Sequence, residues 1–499
     1  MTMHVWGHQQ ERETEPPQHA RTLIVGAGNA GRTLARNLAE TPALGLRPIG
    51  FLDDRTSRRR IDHLTVLGPI SALGDVVRAE QVDVVIVAIP SLPPIELAAL
   101  LQAAAHSGAR VRYLPSFHAA VQRDTRGADL YSVSPASLLG REEMQVVRPA
   151  TRATVQGRRV LVTGAGGSIG SELCRQIGSY GPSALYMLDH DESNLHRLQL
   201  EISGEALLDT DELIVADIRD RARIRSLFAE LRPQTVFHAA AHKHLPLLER
   251  HPCEGVKSNV LGTMNLIDAA IEHGAERFIL ISTDKAAAPT SVLGATKLLA
   301  ELIVRSRAGR GTSCGSVRFG NVLGSRGSLL HTLAHQLAAH EPVTITDPDV
   351  DRFFMTVEEA VGLVLEAGAM ADAGETFVLD MGAPVRIVSL VEAYAALAGV
   401  DHIDIRFTGL RPGEKLNETL FGLDERQTTT GHARISATQG KPPAFDLDER
   451  VAILADIAAR NDVDEVRARL TELVPGYCPP AVPVGACTSA FDAIYPDDF

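Results

Sequence analysis

An acidic and a basic residue stand side by side where an apolar segment ends, and both can move protons. The segment Phe278–Ile281 is apolar and is followed directly by Ser-Thr-Asp-Lys, ending at Lys285. This pattern predicts a buried parallel strand whose last residues emerge at the carboxyl edge of an open α/β sheet, the usual ligand face. We therefore expect Thr283, Asp284 and Lys285 to lie in a catalytic site.

The residues after this strand predict a helix that brings a second lysine to the same site. Residues 289–291 are Pro-Thr-Ser, which favours the start of a helix. Leu293 and Lys297 stand four positions apart, so they share one face of that helix. Lys297 is a further candidate catalytic residue, whereas Leu293 cannot exchange a proton.

A glycine-rich motif upstream predicts a dinucleotide site. Arg159–Thr163 predicts a strand and is followed by Gly164–Gly170 with the spacing Thr-Gly-x-x-Gly-x-x-Gly. The next predicted strand, Ala184–Leu188, ends at Asp189. A carboxylate at that position accepts hydrogen bonds from an adenosine ribose and repels a 2′-phosphate, which favours NAD over NADP.

Later strands add to the predicted cofactor site. Leu213–Asp217 ends in an acid that could meet the adenine, and Val236–Ala241 ends in small residues against which a dinucleotide could lie. Each of these turns alone is also an ordinary packing arrangement, so the ordered set favours NAD. The predicted cofactor-binding residues are Gly164, Gly167, Ser168, Ile169, Gly170, Asp189, Asp217, Ile218, Ala239, Ala240, Ala241 and Lys297.

The N-terminal part of the chain carries a second pattern of this kind. Strand-like residues 22–25 lead into Gly26–Gly31, spaced as G-x-G-x-x-G, then a predicted helix and a strand ending at Asp53. The strand Val82–Ile89 continues the alternation. This motif alone is equally compatible with nucleotide binding and with a helix packed tightly on a strand.

Composition excludes several classes of protein. The net charge of -13 argues against a general nucleic-acid binder, because the phosphate backbone attracts the opposite sign. The five cysteines show no C-x-x-C pair, so the sequence predicts a reducing compartment and no metal site. The longest apolar run, near Leu97–Ala105, is too short to span a bilayer. We expect a cytoplasmic protein without a membrane span.

The 499 residues predict an α/β protein with two Rossmann-like, doubly wound parallel-sheet domains. The predicted boundaries are a disordered tail over 1–20, a nucleotide-binding domain over 21–125, a linker over 126–156, a sugar-nucleotide domain over 157–475 and a tail over 476–499.

Several motifs of the second domain together resemble those of the bacterial UDP-N-acetylglucosamine 4,6-dehydratases of polysaccharide biosynthesis, which are extended short-chain dehydrogenase/reductases. The resemblance extends over roughly 157–475, and the first domain is similar to the one in the family's long, membrane-bound members. The matching segments are 163–170, 238–246, 282–285, 317–328, 345–349, 352–356 and 410–415.

The resemblance implies an NAD-dependent enzyme with a small C-terminal substrate-binding subdomain and a tendency to form homo-oligomers. It implies that a UDP-sugar contacts Lys243, Asn259, Arg318, Asn321, Arg352, Arg411 and Glu414. Arginine suits a diphosphate because it donates two parallel hydrogen bonds. Arg318, at a predicted strand end, is equally compatible with a structural ion pair.

Dehydration across C5 and C6 requires a base at O4, a base at C5 and an acid at O6. The adjacent pair suits the elimination, with Asp284 as the acid at O6 and Lys285 as the C5 base. We expect Thr283 to relay the O4 proton through water to Asp284 and Lys297 to hold the nicotinamide ribose. The acid and base need the reverse of their ordinary charges, so we expect a closed, water-poor site in which burial discharges Lys285.

Leu293 departs from the family pattern, in which a tyrosine removes the O4 proton or, in the long members, methionine is common. The alternatives are a 4-epimerase, which needs that tyrosine but no acid and base at C5 and C6, and a catalytically impaired sensor of UDP-sugar or NAD. The adjacent Asp284 and Lys285 favour the dehydratase over both.

Overall fold

The computed structural model describes residues 20–40, 45–54, 60–61, 63–89, 100, 109–113, 148–325, 329–339, 341–397, 400, 403–422, 424–440 and 443–477. These residues fall into two compact units, which lie within 1–143 plus 392–402 and within 144–391 plus 403–499. The two predicted tails lie outside the described residues, apart from Ala20, Gly476 and Tyr477.

The first unit has the predicted doubly wound pattern. Its described elements are β1 (Ala20–Val25), α1 (Asn29–Glu40), β2 (Leu46–Leu52), β3 (Arg60–Ile61), β4 (Leu64–Gly68), α2 (Leu73–Ala79), β5 (Val84–Val87) and β6 (Arg110–Tyr113). The strand order is β3-β4-β2-β1-β5-β6, and every pairing except β3 with β4 is parallel. The order therefore reverses between β1 and β5, as in a Rossmann-like sheet.

The larger part of the chain, from residue 148, alternates strands and helices. Its strands are β7 (Arg159–Thr163), β8 (Ala184–Asp189), β9 (Leu213–Val215), β10 (Thr235–His238), β11 (Arg277–Ile281), β12 (Ser313–Arg318), β13 (Asn321–Leu323), β14 (Val343–Ile345), β15 (Asp351–Arg352), β16 (Phe354–Thr356), β17 (Ala373–Leu379), β18 (Val385–Arg386), β19 (Ile405–Phe407), β20 (Arg426–Thr429) and β21 (Ile435–Gln439).

The helices of this part lie between and after the strands. They are α3 (Pro149–Ala153), α4 (Ser168–Gly178), α5 (Glu192–Ser203), α6 (Arg221–Leu231), α7 (Leu245–Arg250), α8 (Pro252–Gly255), α9 (Gly262–Glu272), α10 (Val292–Ser306), α11 (Leu329–Ala338), α12 (Val357–Met370), α13 (Ile387–Leu397), α14 (Leu447–Ala459) and α15 (Val463–Leu473). A single π-helical segment, Val256–Leu261, joins α8 to α9.

The described part of the second unit contains one large sheet with the order β20-β21-β17-β12-β11-β10-β7-β8-β9. All pairings from β9 to β17 are parallel, and β21 and β20 close one edge in antiparallel fashion. The order reverses between β7 and β10, and a sheet of this kind binds ligands outside the carboxyl ends of its strands at that point. The predicted fold class is confirmed.

Alternation along the central strands explains why this sheet is buried on both faces. Leu161, Phe278 and Leu280 pack into one apolar layer with α6, α9, α10, α14 and α15. Val160 and Ile279 point the opposite way and pack with α4, α5 and α12. Because successive strand residues point to opposite faces, a continuous apolar run is what such a sheet requires.

Three short strand pairs form outside the large sheet: β13 with β16, β14 with β19 and β15 with β18. They lie in the part of the chain between β12 and β20, and its identity with the predicted C-terminal substrate-binding subdomain stays a prediction. This stretch carries the polar segments from Asn321 to Glu418 that form one wall of the site described below.

The linker predicted over 126–156 is too long at its C-terminal end. Helix α3 packs against α12, and the backbone N–H of Arg148 donates to Glu366 at 2.6 Å. Val155 is buried in the apolar layer around α4 and α12. Similarly, Tyr477 is buried beyond the predicted boundary at 475. Residues 148–156 therefore belong to the folded second unit.

Truncation of Val155 tests this assignment. Val155→Ala should lower the free energy of unfolding of the second unit by about 2 kcal/mol, because it removes two methyl groups from a close-packed layer. Urea unfolding followed by circular dichroism measures the change. The control is Leu207→Ala, whose residue is 69% exposed and should change stability by less than about 0.5 kcal/mol. If Val155→Ala left the free energy of unfolding unchanged, residues 148–156 would again be assigned to the linker.

Candidate active site

A cavity of about 870 Å³ opens at the carboxyl ends of β7, β10, β11 and β12. Segments 344–346 and 408–418 contribute residues to its lining from beyond the sheet. Most of the site residues predicted from the sequence line this cavity, namely Gly164, Gly167, Ser168, Ile169, Gly170, Ala239, Ala241, Lys243, Thr283, Lys285, Lys297, Asn321, Arg352, Arg411 and Glu414. The predicted cofactor side and substrate side therefore share one space.

The glycine-rich turn after β7 packs so closely against α4 and the residues after β10 that two of its positions require glycine. Gly164 has φ of 67°, and a Cβ there would lie 2.6 Å from Cα of Ala240. A Cβ on Gly170 would lie 2.0 Å from the carbonyl oxygen of Gly164. Helix α4 begins after Gly167 without a side-chain cap, so its first N–H groups are directed toward the cavity end of the helix. These features fit the diphosphate of a dinucleotide.

Asp189 holds this turn in place. Its carboxylate accepts from the backbone N–H of Gly166 at 2.9 Å and of Asp191 at 3.0 Å. Asp191 in turn caps helix α5 by accepting from Asn194. Asp189 is not among the residues that line the cavity, so its contact with a ribose stays a prediction.

Asp217 and Ile218 also lie outside the cavity lining, as does Ala240. Both carboxylate oxygens of Asp217 accept from Arg219, at 2.6 to 3.0 Å. These hydrogen bonds hold the pKa of Asp217 below its ordinary value despite partial burial. Contact of Asp217 with an adenine stays a prediction, and it would have to compete with Arg219.

The three residues after β11 form a hydrogen-bonded cluster. Oδ1 of Asp284 accepts from Oγ1 of Thr283 at 2.9 Å and from Nζ of Lys285 at 3.0 Å. Asp284 is fully buried beneath the cavity surface, and its Oδ2 has no hydrogen-bond partner among the described residues. Lys285 lines the cavity with its side chain 18% exposed. The acid and the lysine are thus adjacent and shielded from bulk water.

The charge predicted for Lys285 is wrong for this state of the protein. Burial alone would lower its pKa, but the charges of Asp284 and Glu418 outweigh burial and raise that pKa above its ordinary value. Nζ of Lys285 lies 3.6 Å from Glu418 and donates to Asn321 at 3.3 Å. These contacts favour the ammonium form of Lys285.

Helix α10 begins where the sequence predicts. Ser291 caps it by accepting from the N–H of Gly294, and Leu293 and Lys297 share its cavity-facing side. Nζ of Lys297 donates to the carbonyl of Ile281 at 2.6 Å. Burial lowers the pKa of Lys297 to about 8, and Glu301 opposes this shift only in part.

Arg318 was predicted to contact substrate, and this is wrong. Arg318 has no exposed surface and does not line the cavity. Its guanidinium pairs with Glu301 at 2.6 Å and with Glu425 at 2.6 Å, and each of its three nitrogens donates to one of these carboxylates. A guanidinium committed to two buried carboxylates cannot also bind a diphosphate.

Asn259 was predicted to contact substrate and is also fully buried. Its amide donates to the carbonyl of His242 and to Thr296, each at 3.1 Å, and accepts from the N–H of His242 at 2.8 Å. Asn259 therefore joins the turn after β10 to helix α10 rather than contacting a ligand. It lies in the π-helical segment, a feature often found next to functional sites.

Three of the remaining predicted substrate residues, Arg352, Arg411 and Glu414, form a hydrogen-bonded group in the cavity lining. Arg352 donates to Glu414 and to the carbonyls of Leu416 and Lys415. Arg411 donates to Glu414 at 3.0 Å. Burial would raise the pKa of Glu414, but these two arginines lower it below its ordinary value.

Glu418 is the main site residue that the sequence prediction missed. It lines the cavity, its side chain is almost fully buried, and it lies between Lys285 and Lys415. Its position three residues after Lys415, just beyond the recognised motif 410–415, was the available signal.

Comparison with known proteins places the chain in a family. Residues 160–440 match the model of the family described as polysaccharide biosynthesis protein. The chain belongs to this family. Residues 5–115 match a second model, described as a CoA-binding domain, which is a similarity of the first unit.

Named relatives agree with the motifs. The probable polysaccharide biosynthesis protein EpsC of Bacillus subtilis is 39% identical over 81% of this chain and 69% of its own length. A UDP-N-acetylglucosamine 4,6-dehydratase (inverting) of Campylobacter jejuni is 32% identical over 55% of this chain and 80% of its own. A UDP-glucose 4-epimerase of Rickettsia canadensis is 32% identical over 63% of this chain and 96% of its own. The resemblance drawn from the sequence is confirmed.

A solved structure supports the fold. The X-ray structure of Pen from Bacillus thuringiensis has a TM-score of 0.51 and 30% identity, covering 61% of this chain and 98% of that one. Among the described residues, no helix combines the length and apolar character that a membrane crossing requires.

The pKa of Lys297 predicts how stability depends on pH. The folded protein releases this proton near pH 8, while the unfolded chain keeps it to about 10.5, so folding is penalised below pH 8 and the penalty fades as pH rises to 10.5. In urea unfolding, wild type should gain about 2 kcal/mol relative to Lys297→Met between pH 7.5 and 9.5. A constant difference between the two proteins would contradict the lowered pKa.

Proposed function

We propose that this protein catalyses the NAD-dependent 4,6-dehydration of a UDP-N-acetylhexosamine, with UDP-N-acetylglucosamine as the first substrate to test. The observation that carries the proposal is that Thr283 and Lys285 line one cavity with the glycine-rich turn, and both donate to Asp284 buried directly beneath them. The name of the Campylobacter relative supports the same reaction.

The cofactor side of the cavity fits a dinucleotide because Gly164 and Gly170 form a tight turn and α4 begins there without a side-chain cap. The chemistry that NAD supplies when bound is hydride acceptance from C4 and hydride return to C6. Lys297, next to this turn in the lining, would hold the nicotinamide ribose.

Proton movements follow from the cluster at the end of β11. Thr283 already donates to Asp284, so a proton from the sugar O4 can reach the carboxylate through Thr283 without an intervening water. Asp284 then holds the proton that leaves with the C6 hydroxyl as water. Lys285 first releases its ammonium proton to solvent, and the neutral amine then removes the C5 proton and later returns it. The O4 proton therefore ends in the released water, and Asp284 regains its starting state.

A UDP-glucose 4-epimerase among the relatives makes epimerisation the second candidate. An epimerase needs a proton acceptor near O4 but no acid and base at C5 and C6. Leu293, which lines the cavity, cannot accept that proton, but Thr283 with Asp284 can accept it in either reaction. The discriminating feature is Lys285 beside Asp284, which supplies the acid and base that only elimination needs. A sensor without activity would not require that pair.

Incubation with UDP-N-acetylglucosamine and NAD, followed by mass spectrometry, tests the proposal. A product lighter by one water is expected, and in heavy water it should carry deuterium at C5 because Lys285 exchanges that proton. An unchanged mass with a new sugar would indicate epimerisation. An unchanged substrate would count against both enzymes and favour the sensor.

Substitution of the pair tests the assigned roles. Asp284→Asn and Lys285→Met should each lower kcat for elimination at least about a hundredfold, the usual effect of losing a positioned acid or base. The matched control is Lys257→Met, which removes a lysine paired with Glu254 at 2.8 Å outside the cavity and should leave kcat unchanged. Full activity of either pair variant would remove that residue from the mechanism.

A further inference from the structure

Glu418 is a bridge between two lysines in the cavity wall. Its Oε1 lies 3.6 Å from Nζ of Lys285, and its Oε2 lies 3.2 Å from Nζ of Lys415. The carboxylate is almost fully buried, so water screens these charges weakly. Charges therefore alternate in sign from Asp284 through Lys285 and Glu418 to Lys415.

The backbone that carries Glu418 is fixed by strand β15. Arg352 donates to the carbonyls of Lys415 and Leu416, each at 2.9 Å, and the N–H of Asp351 donates to the carbonyl of Leu416 at 3.2 Å. Asn417 donates to Asp351 at 2.8 Å. Because this segment is held from both its backbone and its side chains, the position of Glu418 opposite Lys285 is built into the fold.

Several charged groups face Lys285, and they act in opposite directions. Asp284 and Glu418 stabilise its ammonium form, and the guanidinium of Arg352 destabilises it. Lys415 acts indirectly, because it neutralises part of the charge of Glu418. The C5 base of the proposed reaction has to be a neutral amine, so the balance among these groups decides how readily it forms.

We propose that Glu418 is a positioning residue that keeps Lys285 protonated in the resting site, and that Lys415 weakens this hold by pairing with the other oxygen of Glu418. The charge relation itself stands on the geometry of the site. Its catalytic consequence, control over the formation of the C5 base, rests on the proposed function.

Competitive acetylation of the whole protein at pH 8 measures the proton on Lys285 directly. Acetic anhydride reacts with neutral amines, and peptide mass spectrometry compares Lys285 with Lys257, which lies outside the cavity. Glu418→Gln should raise the relative rate at Lys285 about tenfold or more, because loss of an opposite charge at this distance shifts a titration by about one pH unit or more. Lys415→Gln should lower that rate.

Two further variants separate charge from structure. Glu418→Asp keeps the negative charge and should change the rate less than about threefold. When Lys415→Gln is added to Glu418→Gln, the acetylation rate at Lys285 should not change further, because the carboxylate through which Lys415 acts is gone. Equal rates in wild type and Glu418→Gln, or an increase in Glu418→Asp as large as that in Glu418→Gln, would overturn the proposal. Circular dichroism and an unchanged rate at Lys257 confirm folding.

Activity supplies an independent reading. If the protein dehydrates UDP-N-acetylglucosamine, the rise of kcat with pH should move to lower pH in Glu418→Gln with little change in KM. If Glu418→Gln is active and its kcat rises over the same pH range as in wild type, Glu418 does not control the formation of the C5 base. If wild type gives no product while acetylation behaves as expected, the dehydratase proposal fails and the charge relation stands.

Discussion

The buried pairing of Arg318 with Glu301 and Glu425 is the interaction on which the rest of the site depends. Arg318 ends β12, Glu301 lies on α10 and Glu425 follows the segment that carries Glu418. Ser282, at the end of β11, donates to Glu301 as well. Loss of one partner from a buried ion pair leaves an unpaired charge and destabilises a protein by about 3 to 5 kcal/mol. This ion-pair junction of Arg318, Glu301 and Glu425 therefore holds together the end of β12, helix α10 and the segment that carries Glu418, all of which border the cavity.

The same junction explains why two lysines in one cavity have opposite charge preferences. Lys285 lies 3.0 Å from Asp284, and two opposite charges at that separation attract by about 5 kcal/mol at an effective dielectric of about 20. Burial disfavours a lysine cation by about 3 kcal/mol if the shift of Lys297 from 10.5 to about 8 is taken as the measure. At Lys285 burial is the largest single effect on the pKa, and the combined attraction of Asp284 and Glu418 outweighs it. At Lys297 burial prevails, because Glu301, the carboxylate that opposes the shift, is also paired with Arg318.

The sequence predicted what depends on local pattern. The apolar run before Thr283 and the glycine spacing after β7 determine strands and turns directly, so their placement was correct. The functions of Arg318 and Asn259 were wrong, since each depends on partners far along the chain; Glu425 is 107 positions from Arg318. The charge of Lys285 was wrong for a related reason: burial could be anticipated, but the approach of Glu418 from another segment could not.

In both units an aspartate at the end of the second parallel strand accepts from a backbone N–H of the glycine-rich turn. The units differ in the residues that follow their other strands. In the first unit the N–H of Ala27 donates to Asp53 at 2.7 Å, as Gly166 donates to Asp189 in the second. By its place in the sheet, β6 corresponds to β11; the sequence continues β6 with Leu-Pro-Ser-Phe, whereas β11 is followed by Ser-Thr-Asp-Lys. A shared fold provides a place for an anionic group, but a reaction requires ionisable side chains at the strand ends. The proposed dehydration therefore concerns the second unit alone.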